Sequence, residues 1–101
     1  MNRSLGIYVS SDRHLDQLIA LCKAAHKKGV IIKVFFTHHG TRLCTNPRLK
    51  ELEKFVQIAI CKVGFEANKL EKSDSIANDK AYSTQGWHAE MIYDCDRYLT
   101  F

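Results

Sequence analysis

Four cysteines carry the most reactive side chains of this 101-residue chain: Cys22, Cys44, Cys61 and Cys95. A cysteine thiolate is a strong nucleophile, and it can take a sulfur atom from a donor and hold it as a persulfide. No two of these cysteines stand in a CxxC spacing, so the sequence indicates neither a thioredoxin-like redox pair nor a zinc ribbon. A single cysteine in an activating environment is therefore the better candidate for chemistry.

Cys61 is the cysteine with a feature that could activate it. A strand predicted over residues 55–60 ends there, and a helix predicted over residues 62–70 follows. The backbone N–H groups at the start of a helix stabilise negative charge, and Lys62 adds a positive charge, so both favour the thiolate. The alternative interpretation is that Cys61 only ends the strand with a small buried side chain.

The other three cysteines lack such a feature. Cys22 in the middle of a helix and Cys95 at the end of another are predicted to be core residues. Cys44 is expected in an exposed polar loop, where it is either a second, resolving thiol or incidental. A metal site made by His38 or His39 with Cys44 is a further hypothesis, although the spacing matches no established zinc pattern.

The hydrophobic pattern predicts an alternation of strands and helices. The strands are predicted at residues 5–9, 30–37, 55–60, 81–84 and 97–101, and the helices at residues 13–28, 48–54, 62–70 and 86–94. The nearly continuous apolar strand at 30–37 indicates burial on both faces, which is typical of a parallel sheet. Right-handed crossovers then place helices on both faces of one α/β domain. The polar stretch 71–85 leaves the limits of the fourth strand open.

Ligands of open parallel sheets gather beyond the carboxyl ends of the strands. Three predicted loops follow strands there and should share one edge of the sheet. Their candidate binding residues, besides Cys44 and the candidate nucleophile Cys61, are Ser10, Ser11, His38, His39 and Lys62.

Composition and charge narrow the class of protein. The net charge of +4 is spread along the chain, without the basic face of a nucleic-acid-binding protein. The apolar runs are too short to span a bilayer, and the N-terminus lacks the apolar segment of a secretory signal. We therefore expect a cytoplasmic protein with free thiols, with neither nucleic acid nor a membrane as partner and without a predicted cofactor.

Four segments resemble the DsrE/DsrF-like family, which includes the TusD-type subunits of sulfur relays. They are residues 7–10, 34–37, 58–61 and the ending 94–101, an aspartate and an arginine followed by an apolar strand. The resemblance covers nearly the whole chain. It implies a three-layer α/β/α sandwich with a mainly parallel five-stranded sheet over residues 1–101. It also implies homo-oligomers (dimers, trimers or hexamers).

For members with a cysteine at the position of Cys61, the resemblance implies persulfide transfer to small partner proteins. The chain departs from the family in His38, His39 and Cys44, where members more often have apolar residues.

The leading hypothesis is a sulfur carrier or sulfurtransferase-like protein that accepts sulfane sulfur on Cys61 and passes it to a partner thiol. The alternatives are a non-catalytic oligomeric module, with contacts through Trp87, Tyr93 and Tyr98, and the metal-binding protein.

Overall fold

The computed structural model describes residues 3–75, 81–83 and 85–101. The strands are β1 (Ser4–Val9), β2 (Ile31–Phe36), β3 (Val56–Cys61), β4 (Tyr82–Ser83) and β5 (Arg97–Thr100). The α-helices are α1 (Leu15–Lys27), α2 (Lys50–Glu53), α3 (Lys62–Ala67) and α4 (Gln85–Asp94), and 3₁₀ helices cover His38–Thr45, Pro47–Leu49 and Lys72–Asp74. The predicted order of elements is confirmed. No helix in these three ranges has the length and apolar character needed to cross a membrane.

The five strands form one sheet in the order β4-β3-β2-β1-β5, and each pair of neighbours is parallel. In the centre of the sheet Ile7 lies beside Val34, which lies beside Ile58. Phe36 lies beside Ile60 at the carboxyl end. The predicted α/β class and five-stranded parallel sheet are therefore confirmed.

The strand order explains why α4 stands apart from the other helices. From β1 to β4 each connection moves in the same direction across the sheet, so right-handed crossovers place α1, α2 and α3 on one face. The connection from β4 returns to β5 at the opposite edge, which places α4 on the second face. Two buried clusters match this division, and the smaller one joins Met91 of α4 to Phe35, Ala59 and Cys61.

The segment after β2 differs from the predicted polar loop. It forms the 3₁₀ helix His38–Thr45, in which Gly40, Thr41, Leu43 and Cys44 are buried. A 3₁₀ helix has three residues per turn, so Gly40 and Leu43 point to the same side, towards the core. A Cβ atom on Gly40 would lie 2.2 Å from the carbonyl oxygen of Val9, so glycine allows the two segments to approach this closely.

The structure defines the fourth strand and the last helix more closely than the sequence does. The described part of the fourth strand is Tyr82–Ser83. Thr84, predicted as a strand residue, lies outside the described residues, as do residues 76–80 of the polar stretch. In α4, Met91 is buried, whereas the following residue Ile92 is 46% exposed. Consecutive helical residues are rotated by roughly 100°, so the two side chains point in different directions.

Candidate functional site

Cys61 lies at the junction between a strand and a helix, as predicted. It is the last residue of β3 and the N-cap of α3, with an extended backbone. The backbone N–H of Gly64 donates a hydrogen bond to Cys61 Sγ, with an N to Sγ distance of 3.4 Å. The sulfur thus takes the place of the side-chain acceptor that an N-cap residue offers to the free amides of the first turn.

Cys61 is more deeply buried than we expect for a residue at the open edge of a sheet. Cys61 is only 7% exposed, and it packs in the cluster with Phe35, Ala59 and Met91. The reason is α4, which crosses this face and brings Met91 over the end of β3. Lys62 and the following Val63 are both exposed, so the chain reaches the surface directly after Cys61.

Two residues that the sequence did not single out flank the sulfur. Thr37 follows β2 with an extended backbone and is 1% exposed. Because Phe36 pairs with Ile60, Thr37 and Cys61 end neighbouring strands on the same face of the sheet. Gln85 Nε2 donates to Thr37 Oγ1 at 3.2 Å and lies 3.9 Å from Cys61 Sγ.

The alternation of side chains along a strand could have indicated Thr37. Residues two apart share a face of the sheet, so Thr37 lies on the same face as Phe35, which packs against α4. Gln85 gave no sequence signal, because it lies in a polar stretch without periodicity. Its position beside the sulfur depends on the path of the chain from β4 into α4.

The 3₁₀ helix after β2 is tied to α3 by side-chain hydrogen bonds. Asn68 Nδ2 donates to the carbonyl oxygen of His38 and to Thr41 Oγ1, both at 2.7 Å. Thr41 Oγ1 donates to the same carbonyl oxygen at 2.9 Å. A Cβ atom on Gly64 would lie 3.1 Å from the backbone N of His38. These contacts fix the turn that follows Cys61 against the end of β2.

The predicted serines are used in local structure at the same edge of the sheet. The backbone N of Ser10 donates to the carbonyl oxygen of Phe101 at 2.9 Å, and its Oγ lies 3.3 Å from the same oxygen. Ser11 Oγ accepts from the backbone N of Arg13 at 3.2 Å. The ends of β1 and β2 also meet here, since the backbone N of Thr37 donates to the carbonyl oxygen of Val9.

The prediction of an exposed Cys44 is wrong. Leu43 and Cys44 turn into the core in the 3₁₀ helix, where Cys44 is fully buried. Burial raises the pKa of the Cys44 thiol, which works against both a resolving thiolate and a metal ligand. His38 and His39 are exposed. Across residues 3–75, 81–83 and 85–101, no group of three or more His, Cys, Asp or Glu is arranged to hold a metal ion.

The remaining cysteines are core or partly buried residues. Cys22 is fully buried, as predicted, and burial raises its pKa to about 12. Cys95 is half-buried beside β1, where a Cβ atom on Gly6 would lie 3.3 Å from its Sγ. Burial raises the pKa of Cys95 too. Cys61 differs from these three by its position at a helix start with an amide donor on its sulfur.

Comparison with known proteins shows the fold alone. No family model matches the chain, and no curated protein matches its sequence. Among solved structures, the YchN protein from E. coli superposes with a TM-score of 0.71 at 11% identity, covering 100% of both chains. YchN has a DsrE/DsrF-like fold. The chain therefore has the α/β fold of this group, with a five-stranded parallel sheet.

Proposed function

We propose that this protein is a sulfur carrier that accepts sulfane sulfur as a persulfide on Cys61 and passes it to the thiol of a partner protein. The observation that carries the proposal is the hydrogen bond from the Gly64 amide to Cys61 Sγ at the carboxyl end of β3. This placement combines a nucleophile, a donor that favours its thiolate and the edge of the sheet where ligands of such folds gather. The DsrE/DsrF-like fold of YchN agrees with the proposal.

The transfer needs no external oxidant or reductant. The Cys61 thiolate attacks the outer sulfur of a donor persulfide, and a new S–S bond forms on Cys61 as the S–S bond of the donor breaks. The inner sulfur of the donor leaves as a thiolate, which takes up a proton from water. The partner thiolate repeats the same exchange on the outer sulfur of the Cys61 persulfide, and Cys61 returns to the thiolate.

The small exposed area of Cys61 limits the donor and the acceptor. Because the residue Cys61 is only 7% exposed, we expect the exchanging thiol to belong to a small molecule or to a protruding segment of a protein. The exposed Lys62 and Val63 provide a charged and an apolar contact beside it. The proposal places the protein in the cytoplasm, where thiols stay reduced and free for exchange.

Mass spectrometry of the loaded protein tests the carrier function. After treatment with glutathione persulfide and gel filtration, the parent protein should carry the mass of one added sulfur, removable with a reductant. Cys61→Ser should carry none, while Cys95→Ser, which alters a half-buried thiol at another position, should load like the parent. Loading of Cys61→Ser to the level of the parent would show that Cys61 is not the carrier.

Self-association is the second part of the proposal, and exposed apolar side chains favour it. On α4, Tyr93 is 90% exposed and Ile92 is 46% exposed, while Leu99 on the edge strand β5 is 43% exposed. Sedimentation equilibrium of the parent should give a mass above that of one chain, and Tyr93→Asp should lower it. A monomer at all concentrations would contradict this part and leave the carrier proposal intact.

A further inference from the structure

We infer that Gln85 is a positioning residue that directs and stabilises the charged sulfur of Cys61, an inference that rests on the proposed carrier function. Gln85 is the first residue of α4, on the helix that covers the second face of the sheet. Its side-chain amide reaches the ends of both β2 and β3. It therefore connects three elements at the point where Cys61 lies.

The Gln85 amide is held by a buried partner. Nε2 donates to Thr37 Oγ1 at 3.2 Å, and Thr37 is 1% exposed. A buried hydroxyl that loses its partner is costly, because water cannot replace the bond. The orientation of the amide is thus fixed before any sulfur arrives. In this orientation Nε2 stands 3.9 Å from Cys61 Sγ.

The sulfur consequently has donors from two elements. The Gly64 amide of α3 lies at 3.4 Å and the Gln85 amide of α4 lies at 3.9 Å. Both are neutral donors, which interact more strongly with an anionic sulfur than with a protonated one. The thiolate that attacks the donor is anionic, and so is the deprotonated outer sulfur of a persulfide.

Gln85 is an exposed residue, whereas Cys61, to which its amide extends, is nearly buried. A purely structural role, in which Gln85 only ties α4 to β2, predicts an effect on unfolding but none on the ionisation of the sulfur.

The experiment measures the alkylation rate of Cys61 by iodoacetamide against pH, quantified on the peptide that contains Cys61. Gln85→Met keeps the length of the side chain without the donor, and Gln85→Glu places a carboxylate beside the sulfur. Gln57→Met is the matched control, because Gln57 is exposed on the same strand as Cys61. No persulfide donor is present in this measurement.

At neutral pH, Gln85→Met should be alkylated roughly three- to tenfold more slowly than the parent, since one donor to a charged group is lost. Its pH profile should move towards alkaline pH, and that of Gln85→Glu should move further, because like charges repel. Gln57→Met should follow the parent. Unchanged profiles in both Gln85 variants would overturn the inference, whatever their stability.

The alkylation experiment on Gln85 and the sulfur-loading experiment on Cys61 can give independent results. If the parent loads sulfur but the profiles do not move, Cys61 is the carrier and Gln85 is not a positioning residue. If the profiles move but the parent takes up no sulfur, the carrier function is wrong, while the action of Gln85 on the sulfur is established.

Discussion

The backbone amide of Gly64 donates a hydrogen bond to the sulfur of Cys61 across the first turn of α3, at an N to Sγ distance of 3.4 Å. The last side chain of β3 is thereby also the cap of the next helix. The same sulfur that is proposed to carry out the exchange therefore helps to hold its own surroundings in place.

This double role predicts different stabilities for two variants at Cys61. Cys61→Ala removes the cap acceptor and should lower the free energy of unfolding by about 1 kcal/mol. Cys61→Ser keeps an acceptor and should stay closer to the parent. Urea denaturation of both variants measures the difference, and neither should load sulfur. An alanine variant as stable as the serine variant would mean that the cap contributes nothing.

The cover over the sulfur gives a second prediction. Met91 is 1% exposed and packs in the cluster of Cys61, so Met91→Ala should cost about 2–4 kcal/mol of stability. It should also speed alkylation of Cys61 under native conditions, because part of the cover is lost. The control is Ile92→Ala, since Ile92 is 46% exposed on the same helix. If Met91→Ala is alkylated no faster than Ile92→Ala, α4 does not control access.

The close approach of Gly40 to β1 gives a third prediction. An added Cβ would lie 2.2 Å from the carbonyl oxygen of Val9, so Gly40→Ala should lose about 3 kcal/mol of stability. Gly29→Ala is a useful contrast. Gly29 has a φ of 76° but no atom near its Cβ position, so the loss there should be about 1 kcal/mol, from backbone strain alone. Thermal or urea unfolding of both variants measures the two losses of stability. Equal losses would mean that the structure around Gly40 shifts to accommodate the added Cβ.

A fourth prediction concerns pH. The His88 ring packs against Tyr8 in a tilted arrangement with ring centroids 4.1 Å apart, and its Nε2 lies 2.7 Å from the Tyr98 hydroxyl oxygen. Burial lowers the pKa of His88 below its ordinary value of 6.5. The unfolded chain therefore binds the proton more readily than the folded one. The contribution of His88 to stability is complete above about pH 6.5 and should decline as the pH falls below it.

Urea denaturation of the parent and of His88→Phe, each at about pH 8 and about pH 5, tests this sign. The phenylalanine variant keeps an aromatic ring and should show a smaller loss of stability on acidification than the parent. An equal loss in both proteins would assign the dependence to other groups.

Local sequence signals were sufficient for the order of elements and for the class of sheet. Asn followed by Pro is typical of a helix start, and Asn46 Oδ1 accepts from the backbone N of Arg48 at 3.0 Å. A glycine after the last turn of a helix is typical of a left-handed end, and Gly29, after α1, has a φ of 76°. Such features depend on residues within one or two turns, so they can be recognised without knowledge of the remainder of the chain.

The sequence by itself determined that a parallel sheet forms and that Cys61 stands where β3 gives way to α3, because both follow from hydrophobic periodicity and neighbouring residues. Only the tertiary structure decided what surrounds the sulfur. Gln85 is 48 residues from Thr37 and 24 from Cys61 in the chain, and it meets both because the crossover from β4 to β5 runs over the second face of the sheet. The burial of Cys44 was decided in the same way, since it depends on how closely its 3₁₀ helix packs against the end of β1.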